Sequence, residues 1–318
     1  MIKKVTIRNY KCYGDNPVEI KLASINFIYG DNSVGKSTFL QCLSEIYKVY
    51  EKKKSLSQEE PVSTTNEWDK FSHKGVGADK IEVAINIGDK EEWKFSSKNG
   101  KMALRNKMGK IVSHEAFNKV FPWLKHNKAH RNERSDEDYS SLQDFFDGDN
   151  LFDPKPITQM FSKMKMDYEC IDSTTLRDVT FNFEVPVTSV GTGMAHLFDI
   201  FKSLEKWKKG ILLLEEPETN VNENHLQTLV SLLVDEAKKR IDAGGQLFIE
   251  CHSEHVLLAL MRLVADKQIN ASDVGVFYVR KTSEGTIIES CSIDENGDLD
   301  RWDDPKGFFT AREKILFG

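Results

Sequence analysis

A short glycine-rich segment limits what this chain can fold into more than any other feature of its sequence. It fits the pattern G-x-x-x-x-G-K-[ST], follows the apolar run Ile25 to Tyr29, and precedes a helical pattern from Lys36 to about Val49. A loop between a strand and a helix points backbone N–H groups at phosphate, and the helix dipole favours the same anion. The segment is therefore predicted to be a phosphate-binding loop (P-loop), made of Gly30, Asp31, Asn32, Ser33, Val34, Gly35, Lys36 and Ser37.

Three side chains at the end of the P-loop have predicted roles. Lys36 is expected to reach the β- and γ-phosphate oxygens, and Ser37 to offer its hydroxyl to Mg²⁺. Thr38 is expected to hydrogen-bond the α-phosphate. The predicted ligands are a nucleoside triphosphate and Mg²⁺.

A second motif, Ile211-Leu212-Leu213-Leu214-Glu215-Glu216-Pro217-Glu218, is an apolar strand that ends in two adjacent carboxylates. Alternation along the strand points the two carboxylates in different directions. We expect Glu215 to hold the Mg²⁺ shell through water, and Glu216 to orient or deprotonate the water that attacks the γ-phosphate. The structural alternative is that the acidic pair only complements the dipole of a following helix.

A third motif, Phe248-Ile249-Glu250-Cys251-His252-Ser253-Glu254-His255, places His252 where the next strand runs into a loop. A single histidine at a strand end is often a structural residue. Its position one strand after the paired carboxylates instead favours a donor to the γ-phosphate.

The order and spacing of these motifs resemble the ABC ATPase family, in particular the heads of SMC, RecF and OLD-like ATPases. The resemblance implies ATP as the nucleotide, with Walker A at 30–37, Walker B at 211–216 with Glu216 as the catalytic glutamate, and a switch histidine at His252. The opening Arg8-Asn9-Tyr10-Lys11-Cys12-Tyr13 is similar to the N-F-K-x-F start of such heads, which implies that Lys11 lies near the nucleotide.

The same resemblance implies a signature loop, which one subunit offers to the nucleotide of its partner. Ser189-Val190-Gly191-Thr192-Gly193-Met194 occupies this position, so Gly191, Thr192 and Gly193 are expected to contact the nucleotide across a homodimer or a higher oligomer. The loop departs from the transporter consensus and resembles the V-G-x-G-x-S-Q loop of a bacterial group related to OLD proteins. His196 replaces the usual glutamine there, and Asn220 would face the dimer interface.

The predicted fold class is α/β: an ABC-ATPase head with a mainly parallel core sheet, an N-terminal antiparallel β layer and a helical insertion, without a coiled coil. Residues 1–270 are expected to form the head, with the insertion at about 114–170. Residues 271–318 are expected to form a small C-terminal hairpin and helix packed on the head. This tail resembles the C-terminal domain of unknown function found in the same bacterial ATPase group.

Composition limits which partners the chain can bind and in which cell compartment we expect it. The chain has 318 residues, 39% hydrophobic and 30% charged, with a formal net charge of −6, which argues against a uniformly basic nucleic-acid surface. One basic segment, residues 119–134, is a candidate site for DNA or RNA, and its alternative is a surface insertion whose charge the following acidic stretch neutralises. No run approaches 18 apolar residues and the N-terminus lacks a signal-peptide pattern, so we expect a cytoplasmic protein that binds no membrane.

The function implied is an ATPase, a hydrolase that dimerises around ATP–Mg²⁺ and regulates a separate effector. Members of the resembled group accompany nucleases or other effectors, such as toxins, in antiphage defence. Only 66 residues follow His252 and they predict a hairpin and a helix, so no nuclease is expected in this chain. The alternatives are a clamp that closes on DNA in repair or maintenance, and a scaffold that binds ATP with little turnover.

Overall fold

The computed structural model describes most of the chain, with gaps between residues 52 and 151 and no description after residue 300. The described residues are 1–51, 63–64, 68–75, 77–88, 91–98, 101–113, 116–117, 119, 121–122, 124–127 and 152–300. The strands are β1 Ile2–Arg8, β2 Val18–Lys21, β3 Ile25–Tyr29, β4 Ser63–Thr64, β5 Glu82–Ile87, β6 Glu91–Lys98, β7 Lys101–Asn106, β8 Leu124–Asn127, β9 Tyr168–Cys170, β10 Thr175–Asp178, β11 Phe183–Pro186, β12 Ile211–Glu215, β13 Gln246–Cys251, β14 Val274–Thr282 and β15 Gly285–Cys291. The α-helices are α1 Lys36–Glu51, α2 Pro154–Lys163, α3 Thr192–Lys206, α4 Glu223–Ile241 and α5 Glu254–Ala265.

The core sheet has the strand order β15-β14-β3-β13-β12-β8. All neighbouring pairs from β14 to β8 are parallel, and β15 alone is antiparallel to its neighbour. Strands β3 and β13 are buried along their whole length, as expected for strands covered on both faces. The mainly parallel core sheet predicted from the sequence is confirmed.

Two hydrophobic clusters cover the two faces of this sheet. Alternation in β12 sends Leu212 and Leu214 into one cluster and Leu213 into the other. The first cluster contains the buried faces of α2 to α5, and the second contains that of α1 and the interior of the antiparallel layer. The P-loop helix therefore lies between the two sheets.

The antiparallel layer has the order β2-β1-β5-β6-β7-β4, with antiparallel pairing at every junction. This confirms the predicted N-terminal β layer. The longest helix in the described ranges is α4, with 19 residues, and no coiled-coil arm occurs in them. Across the same ranges, every helix is too short or too polar to cross a lipid bilayer.

The segment 114–170, predicted to be mainly helical and loop-like, also contains strands. Leu124–Asn127 forms β8, which pairs in parallel with β12 and so belongs to the core sheet. β9 begins before residue 170 and joins β10 and β11 in a separate three-stranded sheet. Short polar strands such as Leu124-Lys125-His126-Asn127 have little periodicity of their own, because tertiary pairing specifies them.

The C-terminal hairpin is part of the core sheet. β14 pairs in parallel with β3 along five residue positions, from Val274 opposite Ile25 to Tyr278 opposite Tyr29. The buried hydroxyl of Thr286 in β15 donates to the carbonyl oxygen of Val34 in the P-loop, at 2.6 Å. The hairpin therefore pairs with the head as well as packing on it. The helix predicted near Phe308 to Leu316 lies outside the described residues.

Replacing Thr286 by Val should destabilise the protein, because the buried carbonyl of Val34 loses its donor while the side-chain shape is kept. We expect a loss of about 1–3 kcal/mol in the free energy of unfolding, measured by denaturant titration. Thr286→Ser is the matched control. It keeps the hydroxyl and loses one methyl group, worth about 0.8 kcal/mol. A Val variant as stable as the Ser variant would contradict the role of this hydrogen bond.

Candidate nucleotide-binding site

Three strands of the core sheet end side by side at the predicted site. Tyr29 of β3 lies opposite Cys251 of β13, and Glu250 of β13 lies opposite Glu215 of β12. The P-loop follows β3, and the polar ends of the Walker B and histidine motifs lie where β12 and β13 end. The three motifs, far apart in sequence, are therefore brought to one edge of the sheet, where parallel sheets bind ligands.

The backbone of the predicted P-loop contains three residues with positive φ angles. Gly30, Ser33 and Gly35 have positive φ angles of 146°, 59° and 113°. A Cβ atom at Gly30 would overlap the carbonyl oxygen of Val279 in β14, so only glycine fits between the two strands. Tyr13 donates its hydroxyl to the Gly35 carbonyl oxygen at 3.0 Å. The loop is thus held from both sides, by the N-terminal segment and by the C-terminal hairpin.

Lys36 is buried, with only 2% of its surface exposed. Its ammonium donates to the carbonyl oxygens of Gly30 at 2.9 Å and Asp31 at 2.7 Å, and lies 3.3 Å from Nδ1 of His252. Burial lowers the pKa of Lys36, while Glu250 and other nearby anions raise it. Because an ammonium has three protons, these contacts use all of them.

His252 connects Lys36 to Glu216. Its Nε2 lies 2.9 Å from Oε1 of Glu216, on the opposite side of the ring from Lys36. When Lys36 donates to Nδ1, the imidazole proton is on Nε2 and is donated to Glu216. The predicted lysine, histidine and catalytic glutamate therefore form one hydrogen-bonded series.

The backbone and a neighbour fix the direction of Glu216. It has a φ angle of 45°, in the left-handed region that few residues other than glycine adopt. Its N–H donates to the Glu250 carbonyl oxygen at 2.8 Å, and Thr219 donates its hydroxyl to Oε2 at 3.0 Å. Strain of this kind, about 1–3 kcal/mol, is typical of functional positions.

Glu250 is a residue of the site to which the sequence analysis gave no role. Its side chain is 1% exposed, and Ser37 donates its hydroxyl to Oε1 at 2.8 Å. Burial raises the pKa of Glu250 to about 8, against the hydrogen bond from Ser37, and Glu215 adds to the rise. Its place in the third motif is visible in the sequence, but its contact with the P-loop depends on how β13 pairs with β3 and β12.

Glu218, the last residue of the Walker B motif, holds the histidine loop. Its Oε1 accepts the N–H groups of His252 at 2.7 Å and Ser253 at 3.3 Å. Ser253 in turn caps α5, with its hydroxyl accepting from the His255 N–H at 3.2 Å. Burial raises the pKa of Glu218, and these backbone N–H groups oppose the rise. This carboxyl therefore fixes the distance between the Walker B loop and His252.

The signature-loop glycines have different surroundings. A Cβ at Gly193 would overlap the carbonyl oxygen of Asn220, whereas a Cβ at Gly191 would meet no atom of the described structure within 4 Å. Gly191 is the N-cap of α3 and has no side chain to cap the helix. His196, one turn into α3, has Nε2 3.2 Å from the carbonyl oxygen of Glu216. The signature helix is therefore in contact with Walker B in the same subunit.

Comparison with protein families and solved structures agrees with this architecture. Residues 1–151 match the family model described as AAA ATPase domain, and residues 269–316 match a protein family of unknown function, DUF3696. An SMC head bound to the C-terminal winged-helix domain of ScpA has a TM-score of 0.58 and 11% identity, over 92% of this chain and 98% of that chain. The SMC head domain from Thermotoga maritima has a TM-score of 0.53 and 13% identity, over 91% of this chain and 98% of that chain.

A third similar structure is an SMC head domain with an extended coiled coil, bound to the C-terminal domain of ScpA and derived from Pyrococcus furiosus. It has a TM-score of 0.56 and 10% identity, and the match covers 99% of both chains. Residues 1–151 are thus similar to an AAA ATPase domain, and the fold of the chain is similar to that of an SMC head. No curated protein sequence matches it. The ATPase-domain match ends before Walker B, so the roles of Glu216 and His252 depend on the motifs and their geometry.

The donor set of this candidate site suits Mg²⁺. The ligand atoms of Glu216, Glu250 and His252 lie within 4.8 Å of one another, and Ser37 contacts Glu250. Mg²⁺ prefers oxygen ligands and keeps several waters. Hydroxyl and carboxylate oxygens beside a P-loop fit this preference. Glu215, predicted to hold the metal shell, is next to Glu250 in the sheet register.

The contacts of Lys11 and the position of Lys125 bear on two further predictions. Lys11 donates to Oε1 of Gln41 in α1 at 2.7 Å, and its ammonium lies 5.0 Å from the centre of the Phe71 ring. Its nucleotide contact stays a prediction. In the basic segment, Lys125 belongs to the core strand β8, where it pairs with Leu212. Lys128, Arg131 and Arg134 lie outside the described residues.

Proposed function

We propose that this chain binds ATP and Mg²⁺, hydrolyses ATP, and works as a dimer that encloses two nucleotides. The observation that carries the proposal is the hydrogen-bonded series Lys36, His252 and Glu216 at the ends of parallel strands. It joins a phosphate-binding lysine to a carboxylate that can take a proton, through one imidazole. Hydrolysis of a γ-phosphate needs these groups in reach of one another.

The side chains divide the work of hydrolysis between them. Lys36 has to exchange at least one of its present acceptors for a phosphate oxygen, because all three of its protons are in use. His252 then keeps its hydrogen bond to Glu216 and directs the carboxylate. Glu216 accepts a proton from the attacking water. Mg²⁺, when bound, neutralises charge on the phosphate oxygens.

Replacing Glu216 by Gln should remove most ATP turnover and leave ATP binding intact, because the amide cannot accept the proton. We expect a loss of roughly 10²- to 10⁴-fold in turnover, the size of a general-base contribution. The measurement is phosphate release at saturating ATP, together with the amount of dimer that retains ATP. The variant should accumulate as an ATP-bound dimer.

Two controls make this result specific. Glu19→Gln changes a carboxyl on the antiparallel layer, paired with Lys4, and should turn over ATP like the parent. Lys36→Ala should lose ATP binding altogether. Parental turnover in the Glu216→Gln variant would show that Glu216 is not the base.

We further propose that the site is shared between two subunits, with the Gly191–Gly193 loop of one subunit meeting the nucleotide of the other. The N-terminus of α3 has backbone N–H groups without a side-chain cap, which suits an anion. The P-loop helix already supplies a phosphate cradle within its own subunit. We therefore expect the N-terminus of α3 to contact the nucleotide bound by the other subunit.

Mixing two inactive variants tests the shared site, and the structure decides which glycine to change. Gly191→Asp adds a negative charge where a side chain has room, whereas any side chain at Gly193 collides with Asn220 in its own subunit. A heterodimer of Lys36→Ala and Gly191→Asp has one site with both parts intact. Partial recovery of ATPase activity on mixing is expected.

Gly191→Ala is the matched control for this experiment, since it adds a side chain without a charge. Heterodimer formation has to be confirmed with two affinity tags. Proven heterodimers without recovered activity would argue against the shared arrangement. Full ATPase activity in a protein that sedimentation shows to be a monomer would exclude the shared site.

We also propose that ATP turnover controls a separate effector, a nuclease or a toxin, in bacterial antiphage defence. The support is the resemblance of the motifs and the tail to the OLD-like group. Two similar SMC head structures contain a bound ScpA domain, which shows that heads of this fold can bind a protein. The DNA-clamp alternative depends on the basic segment, in which Lys119 and Lys125 are described and residues 128–134 are not.

The effector proposal is tested by recovering the partner with the chain from its own host and assaying that partner. We expect nuclease or toxin activity in the complex to change when ATP is added, and Lys36→Ala to abolish the change. Regulation would be contradicted if the activity of the partner were the same with the parent and with the Lys36→Ala variant, and the same with and without ATP. Binding to duplex DNA that weakens steeply with salt would support the clamp instead.

A further inference from the structure

The carboxyl of Glu250 has one satisfied oxygen and one bare oxygen. Oε1 accepts the hydroxyl of Ser37 at 2.8 Å, and Oε2 has no hydrogen-bond partner among the described residues. Only 1% of the residue is exposed. A buried carboxyl oxygen without a partner is unfavourable, and its place beside the P-loop hydroxyl points to a ligand that would complete it.

The nearest cationic side chain does not supply the missing partner. Lys36 directs its protons to the carbonyl oxygens of Gly30 and Asp31 and to His252. Glu218, the other buried carboxyl of the region, also has a bare oxygen, but its Oε1 is occupied by two backbone N–H groups of the histidine loop. Glu250 alone among these carboxyls contacts the P-loop hydroxyl predicted to bind the metal.

The neighbours of Glu250 carry oxygen atoms of the kind that bind a divalent cation. Oxygen atoms of Glu216 and Glu250 lie within 4.8 Å of one another. Glu215 is opposite Glu250 in the sheet. We propose that Glu250 is a further carboxylate of the Mg²⁺ site, which holds the cation directly or through one water together with Ser37. The inference depends on the proposed ATP–Mg²⁺ function and adds a residue that the Walker motifs do not contain.

In this arrangement Ser37 exchanges partners. Without metal, its hydroxyl donates to Glu250. With metal, the hydroxyl oxygen is a ligand, and the Glu250 carboxylate remains beside it as an acceptor for the hydroxyl proton or for a metal-bound water. Removing the charge of Glu250 should therefore lower the affinity for the cation and leave the structure of the P-loop intact.

Glu250→Gln separates the metal role from a structural one, because the amide oxygen can still accept from Ser37. The first measurement is the affinity for a fluorescent, non-hydrolysable ATP analogue, with EDTA and then with increasing Mg²⁺. In EDTA, the variant should bind at least as well as the parent. The Mg²⁺ concentration giving half of the maximal effect should rise by tenfold or more.

The second measurement uses Mn²⁺ alone, followed by its electron paramagnetic resonance signal on the nucleotide-free protein. The parent should bind Mn²⁺, and Glu250→Gln should bind it at least tenfold more weakly. Glu19→Gln, on the antiparallel layer, is the matched control and should behave as the parent in both measurements. Melting temperatures establish folding. If the Gln variant does not fold, Glu250→Asp replaces it, which keeps the charge but shortens its reach, and should show a smaller rise in the same Mg²⁺ midpoint.

The outcomes distinguish this inference from the proposed function. Unchanged Mg²⁺ dependence in Glu250→Gln would overturn the metal role, and so would equal losses of analogue binding with EDTA and with Mg²⁺. A parent that binds no nucleotide in either condition would contradict the proposed function. In that case the Mn²⁺ titration alone decides about Glu250: weaker binding in the variant supports the site, and absence of Mn²⁺ binding by the parent overturns it.

Discussion

Strands β3, β13 and β12 run parallel, with Ile249 paired to Phe27 on one side and Leu214 on the other, and the candidate site depends on this register. The alternating side chains of these strands fill hydrophobic clusters on both faces of the sheet. A shift by one residue would exchange the two faces and turn buried side chains into the wrong cluster. Packing therefore holds the register, and the register places the P-loop, His252 and Walker B together.

The polar groups at this edge are satisfied mostly by one another. Lys36 is hydrogen-bonded to two carbonyl oxygens of its own loop and to the His252 ring, and that ring is hydrogen-bonded to Glu216. A nucleotide has to compete with these internal hydrogen bonds, so its binding energy is a difference between two well-bonded states. One of the three acceptors of Lys36 is the histidine beside the proposed base, so a nucleotide that displaces this contact would couple binding to catalysis.

The sequence predicted the contiguous motifs and not the contacts between them. Walker A, Walker B and His252 were found because each is a run of residues with its own chemistry, and the parallel sheet followed from alternating strands and helices. Glu250 was missed because strand pairing brings it to Ser37, a residue 213 positions away along the chain. β8 was missed because four residues of mixed polarity specify a strand only beside β12. The close approach of Gly193 to Asn220 likewise depends on the packing of α3.

The C-terminal hairpin is the least expected contributor to the site. Val279 in β14 lies against Gly30, and Thr286 in β15 holds the carbonyl of Val34, so the tail contacts both ends of the P-loop. The carbonyl oxygen of Cys12 meets the same hairpin from the N-terminal side, accepting the Thr286 N–H at 2.8 Å. A phosphate-binding loop works because its N–H groups are fixed before the anion arrives, which avoids ordering them on binding. In this chain the contacts that hold the loop come from the N-terminal segment, through Tyr13, and from the C-terminal hairpin, through Val279 and Thr286.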